Sequence, residues 1–262
     1  MQTQYHRPGS IAEAAKLLGG DARLLAGGQS LVAAMKLGLA SPSALVDLRG
    51  IAGLDAIRVD GQRVSLGAMA THTSVAASRE VARAIPALAQ LAAGIGDRAV
   101  RDCGTVGGAL ANNDPAACYP AAVLGLGATI QTDQRQIAAD DFFRGLYETA
   151  LRPNEIITAV HFPVPERAAY EKFRQPASRF SIVGVMVAKT PAGARVAVTG
   201  AGSCVFRCKP LEAALTRKFA PESCDGIFID AKGLNDDLHG SAEYRAHLIP
   251  VLAKRAVARS LG

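Results

Sequence analysis

The stretch RLLAGGQSLVAAMKLGL, residues 23–39, constrains this 262-residue chain more than any other. Leu24, Leu25 and Ala26 read as a short apolar strand, Gly27 and Gly28 as a turn, and Ser30 as the entry to a helix. That order makes a shape suited to an anion. Without a Cβ, the glycine backbone can be approached closely. The free N–H groups of the first helical turn point at the anion, and the helix dipole adds partial positive charge. Ser30 can cap the turn or donate its hydroxyl to an oxygen. Taken alone, the stretch reads equally well as a strand-to-helix turn with a good cap.

A second double glycine lies at residues 104–110, GTVGGAL, between Thr105 and a small apolar run. Two such turns, both followed by helices, suit the two phosphates and ribitol of a dinucleotide.

The rest of the composition narrows the choice. Hydrophobic residues make up 49% of the chain, with no tryptophan, and this suits close helix–sheet packing rather than disorder. The length accommodates two modest domains or one large one. The start, MQTQYHRPGSIAEAAKLL, lacks the apolar core and cleavage site of a signal peptide. No run approaches the ~18 apolar residues of a membrane span. A cytoplasmic protein is the expectation. Cys103, Cys118, Cys204, Cys208 and Cys224 form no CxxC pair and read as reduced thiols. The net charge of +6 is dispersed, with no basic run interleaved with aromatics. Nucleic acid is therefore not expected, and a diphosphate ligand or a partner subunit is the better destination for the charge.

Along the chain, residues 11–18 have helical spacing behind Ser10, and residues 44–48 (ALVDL) complete a β-α-β unit. Residues 63–69 alternate as a strand, a helix opens at 71–74, and 85–95 are apolar at helical spacing. Residues 96–115, GDRAVRDCGTVGGALANNDP, read as a long functional loop. A helix over 116–124 and strands over 128–132 and 155–162 follow. Beyond Pro165, residues 170–174, 180–189 and 194–203 form an antiparallel sheet, with TPAG at 190–193 as a turn. Residues 209–216 and 241–260 are helical.

No GxGxxG, GxxxxGK[ST], GxSxG or HExxH occurs, which argues against a Rossmann dinucleotide fold, a P-loop, an α/β-hydrolase elbow and a zincin. The five histidines are scattered, and no metal site is expected. His72 faces a ligand or sits at a loop or cap position. Asp114 contacts a ribose or ribityl hydroxyl, or makes an Asx-turn before Pro115. A phosphate cradle without an acid–base or nucleophile set fits a protein whose cofactor carries the chemistry.

AGGQS at 26–30, TVGG at 105–108 and NNDPAACYPAAVLGLGA at 112–128 together resemble the FAD-binding medium subunit of molybdenum hydroxylases, the aerobic carbon monoxide dehydrogenase and xanthine dehydrogenase family. THTSVAAS (71–78), LRPNEIITAVHFP (151–163) and SAEYRAHLI (241–249) extend the likeness to nearly the whole chain. The resemblance implies an α+β fold. An FAD-binding domain over 1–165, PCMH-like and built of two α/β subdomains (about 1–52 and 53–165), would precede a C-terminal domain of helices on an antiparallel sheet over 166–262.

The resemblance also implies non-covalent FAD, with molybdenum cofactor and [2Fe–2S] clusters confined to a large and a small partner subunit, in a dimer of heterotrimers. It assigns Ala26, Gly27, Gly28, Gln29, Ser30, Thr105, Val106, Gly107 and Gly108 to the pyrophosphate region. Leu24, Leu25 and the strand around Ile156 and Ile157 lie along the cofactor, joined by Ala109, Asn113, Asp114 and Lys172, with Arg174 close behind. RDCGT stands where the family commonly has RNRGT, so Asp102 and Cys103 replace Asn and Arg. Ala109 replaces a polar residue, and Cys118 an aspartate. The role implied is electron transfer from iron–sulfur clusters to an external acceptor. The alternative is a self-contained FAD oxidoreductase, which would need its own acid–base group over the flavin.

Overall fold

The computed structural model describes residues 3–262. Three sheets of three or more strands follow one another along the chain, and a two-stranded hairpin, Phe143–Gly145 with Glu148–Thr149, is inserted before the last strand of the second. The first is parallel, ordered Gln4–His6, Ala44–Asp47, Arg23–Leu25. Its central strand is the most apolar of the three, as its position between two neighbours requires. Ser10 caps the helix Ile11–Leu17 by accepting from the Glu13 amide at 3.2 Å. The outer strand Gln4–His6 has no readable pattern, because it is three residues long and mostly exposed. Buried Asp47 ties it down. Its carboxylate accepts from Arg49 and from the Tyr5 hydroxyl, and despite the desolvation opposing them these bonds hold it at about 2.

The second sheet is antiparallel, ordered Ile57–Asp60, Arg63–Gly67, Ile157–Pro163, Thr129–Thr132, Gln136–Ala138. Helices Pro86–Ala93, Val106–Asn112 and Tyr119–Leu126 contribute to its core. Residues 96–115 are not the long loop read from the sequence. They hold two short helices, Arg98–Cys103 capped by the Asp97 carboxylate and Val106–Asn112 capped by the Thr105 hydroxyl. Four glycines masked this, because Gly107 and Gly108 lie inside the first turn of the second helix instead of breaking it.

The third sheet is also antiparallel, ordered Arg167–Arg174, Ser181–Thr190, Gly193–Thr199, Phe206–Arg207. Ser181–Thr190 is buried along eight of its ten residues, which explains its unbroken apolar run. One face of the sheet meets Lys209–Arg217 and the twenty-residue helix Ala242–Leu261. The other meets Tyr119–Leu126, where an added Cβ on Gly125 would lie 2.6 Å from Met186 Cγ. No described helix is long and apolar enough to cross a membrane. The molecule is thus an α+β chain with helices covering antiparallel sheets and one small parallel sheet at its start.

Candidate cofactor-binding site

A cavity of about 600 Å³ lies where the two glycine loops, the start of helix Tyr119–Leu126, the strand at Ile156 and Ile157, and the 172–180 segment converge. The two loops play different parts. In the first, Gly28 turns the chain with φ of 72°, a conformation that favours glycine. Among the described residues the backbone amides of Gly27, Gly28, Gln29, Ser30 and Leu31 donate to no acceptor in the chain. Consecutive free amides around a left-handed residue form a concavity for an anion. Ser30 makes no side-chain cap bond, which corrects the capping half of its expected role and leaves its hydroxyl free at the cavity.

The second loop offers no such row. The amides of Val106 and Gly107 donate to Ala70 and Ala68 carbonyls at 3.0 and 2.8 Å. Those of Gly108 and Ala109 go to the hydroxyl and carbonyl oxygens of Thr105. Its glycines serve close packing. An added Cβ on Gly107 would lie 2.6 Å from Ala68 Cβ, and one on Gly108 would lie 2.8 Å from Thr105 Oγ1. The loops also touch each other: an added Cβ on Gly27 would lie 2.0 Å from the Cys103 carbonyl oxygen. One loop presents amides, and the other holds it in place.

Of the residues expected from the sequence, Leu24, Ala26, Gly27, Gly28, Gln29, Ser30, Thr105, Gly107, Gly108, Ala109, Asp114, Ile157 and Lys172 line this one cavity. Three do not. Leu25 alternates away from its neighbour Leu24 into the core. Val106 is fully buried beneath the second loop. Asn113 adopts φ of 43° to end its helix, and its Nδ2 donates to the carbonyls of Gly145 and Glu148 at 2.8 Å, bracing the hairpin at 143–149. Asp114 does make the Asx-turn, accepting from the Ala116 amide at 2.8 Å, while still lining the cavity.

Lys172 donates to the carbonyls of Gly94 and Arg179, both at 2.8 Å, and its Nζ stands 3.4 Å from Cys118 Sγ. Buried Cys118 therefore faces the end of the Lys172 side chain.

The sequence reading missed Glu155 and Tyr119. Glu155 is buried beside Ile156 and accepts from Arg135, Thr132 and the Arg152 amide. The Arg135 bonds hold its carboxyl at about 2, and the clamp fixes the start of the Ile157–Pro163 strand along the cavity. Its signal was an acid directly before an apolar strand. Tyr119 lies in an unbroken apolar run and gave no signal. His72, left open in the sequence, lines the cavity and is 5% exposed. Burial and the nearby Arg101 charge lower its pKa to about 4, so the imidazole is neutral at neutral pH. Among the described residues no group of three or more His, Cys, Asp or Glu is placed to hold a metal.

The donor set fits FAD. The amide row suits a pyrophosphate, the apolar walls at Leu24, Ile156 and Ile157 suit a ring system, and the volume lies within the ~300–1,000 Å³ typical of cofactor sites. Residues 1–165 match the model of the FAD binding domain in molybdopterin dehydrogenase. The chain is 36% identical to the carbon monoxide dehydrogenase medium chain of Afipia carboxidovorans, over 98% of this chain and 96% of that one. It is 34% identical to the nicotine 6-hydroxylase medium subunit of Paenarthrobacter nicotinovorans, over 97% and 95% respectively. Its fold superposes on reconstituted CO dehydrogenase from Oligotropha carboxidovorans with a TM-score of 0.91, at 34% identity and covering 99% and 98% of the two chains. With cavity, amide row and full-length likeness in agreement, the chain belongs to the FAD-binding medium subunits of the molybdenum hydroxylases.

Proposed function

We infer that this subunit is the electron-transfer component of a heterotrimeric complex. It would take electrons from [2Fe–2S] clusters of a small subunit and pass them to an external acceptor, while a large subunit oxidises substrate at a molybdenum cofactor. Two such heterotrimers would pair, in the cytoplasm. When bound, FAD supplies a two-electron store that exchanges electrons with one-electron centres. The chain's own residues bind and orient it. The amides of Gly27, Gly28, Gln29, Ser30 and Leu31 receive the pyrophosphate, and Ile156 and Ile157 pack along the cofactor. Lys172, held by the carbonyls of Gly94 and Arg179, lines the cavity beside Cys118.

The observation that carries this reading is the row of free amides at the cavity lined by both glycine loops. The division at about residue 165 into a flavin-binding part and a C-terminal part belongs to the same proposal. In its support, the strand Ile157–Pro163 ends the second sheet's chain segment and Arg167–Arg174 begins the third sheet.

Purification of the native complex tests the assignment. The expected result is co-purification with an iron–sulfur subunit and a molybdopterin subunit, and bleaching of flavin absorbance only when both are present with substrate. A lone chain that reduces its flavin with an organic substrate would contradict it.

A further inference from the structure

Three buried side-chain polar atoms among the described residues have no hydrogen-bond partner: His72 Nδ1, Asn113 Oδ1 and the Tyr119 hydroxyl. Leaving such an atom unpaired costs as much as losing a hydrogen bond, so each requires an explanation. Asn113 spends its amide nitrogen on the neighbouring hairpin. His72 and Tyr119 differ, because both line the cofactor cavity. Their rings are neighbours, with centroids 5.2 Å apart. An apolar side chain would fill either position without leaving an atom unpaired.

Their placement narrows what they serve. An added Cβ on Gly104 would lie 2.6 Å from His72 Nε2, and one on Gly27 would lie 2.9 Å from the Gly104 Cα. The imidazole therefore stands directly behind the junction of the two loops, next to the amide row. Tyr119 follows Cys118, whose sulfur faces Lys172. The pair thus belongs to the cavity lining between the junction of the two loops and Cys118. Between its phosphates and its ring systems a dinucleotide carries sugar-derived hydroxyls. Both side chains are uncharged at neutral pH, since burial lowers the imidazole pKa and raises the phenol pKa. A neutral imidazole and a phenol can each donate and accept one bond, which matches a hydroxyl.

We propose that His72 and Tyr119 form a polar subsite for the hydroxyl-bearing linker of the bound dinucleotide. The subsite rests on the FAD reading above and extends it to two side chains outside the glycine loops. With cofactor bound, both orphaned side chains acquire partners. Without it, the apoprotein carries them unpaired.

The test compares wild type with Tyr119→Phe, His72→Leu and His72→Gln, reading the FAD dissociation constant of each apoprotein and its thermal midpoint without flavin. Tyr119→Phe should weaken FAD binding about tenfold while leaving the apoprotein no less stable, because the variant removes an unpaired hydroxyl. His72→Leu should weaken binding to a similar degree, and His72→Gln, which keeps a donor and an acceptor, should recover part of the loss. The same loss with FMN places the contact on the ribityl chain, and with ADP on the ribose. A Tyr119→Phe apoprotein of lower midpoint with wild-type FAD affinity overturns the subsite and makes the phenol structural. Tyr119→Phe is isosteric, so the comparison holds even where the His72 variants fail to fold. A wild-type apoprotein that binds no FAD overturns the FAD reading itself, a result separate from unchanged affinity in the variants.

Discussion

Replacing Gly27 with alanine is the sharpest perturbation of the cradle. Gly27 does not have a positive φ, so alanine brings no backbone strain, and the whole effect is steric. The new Cβ would lie 2.0 Å from the Cys103 carbonyl oxygen and 2.7 Å from its carbon, where even 3.0 Å is essentially never seen. One loop must retreat by about 1 Å, and no side chain can yield instead, because both blocking atoms are backbone. A hydrogen bond of about 2.9 Å stretched by that much is lost. Losing one or two charge-assisted amide bonds to phosphate is worth about 2–3 kcal/mol, a rise in Kd for FAD of roughly 30- to 150-fold. Overpacking lowers the chain's stability by about 1–3 kcal/mol as well. Fluorescence titration of apoprotein with FAD reads the first quantity, and urea unfolding the second. Cys103→Ala is the control, since only the Cys103 backbone makes the contact, and it should bind as wild type does. Gly27→Ala with an FAD affinity within threefold of wild type would refute the idea that loop docking shapes the cradle.

Other outcomes follow from the same geometry. Thr105→Ala should cost about 1 kcal/mol of stability because its hydroxyl caps a helix, whereas Ser30→Ala, with no cap bond to lose, should stay within about 0.5 kcal/mol of wild type. Paired urea curves check both. Glu155→Gln should destabilise the chain at neutral pH by about 2–3 kcal/mol. The Glu155 carboxyl is held at about 2 against an ordinary 4.5, so its contribution is complete above about 4.5 and drains away as pH falls towards 2. The gap between wild type and Glu155→Gln should therefore close on acidification, and a gap that widened in acid would refute the clamp. Asp47→Ala leaves Arg49 and Tyr5 without their buried partner and should free the Gln4–His6 strand, read as faster amide exchange at residues 4–6.

Much of the fold was legible because its longer elements carry clear periodic patterns. The continuous apolar run of Ser181–Thr190 and the spacing of Ala242–Leu261 are such cases. Short elements with mixed exposure were not legible. Gln4–His6 and Ile57–Asp60 are edge strands whose patterns carry little apolar signal. The two short helices within 96–115 were hidden by glycines, which a sequence reading takes as breaks. At the site, the glycine pairs marked the two loops that line the cavity but suggested the same task for both. Only tertiary contacts show that Gly107 and Gly108 are required by Ala68 and Thr105, while the free amides belong to the first loop. Tyr119 was invisible because its hydroxyl has no partner in the chain, and the one signal of Glu155, an acid before an apolar strand, does not reveal its partner Arg135.

The central claim is that the amide row at residues 27–31 holds the pyrophosphate of FAD. Titration of the apoprotein with FAD and with riboflavin, which lacks phosphate, tests it most directly. The account predicts one tightly bound, acid-releasable FAD per chain, riboflavin binding weaker by orders of magnitude, and loss of that preference in Gly27→Ala. Equal affinity for FAD and riboflavin in the wild-type chain would contradict it.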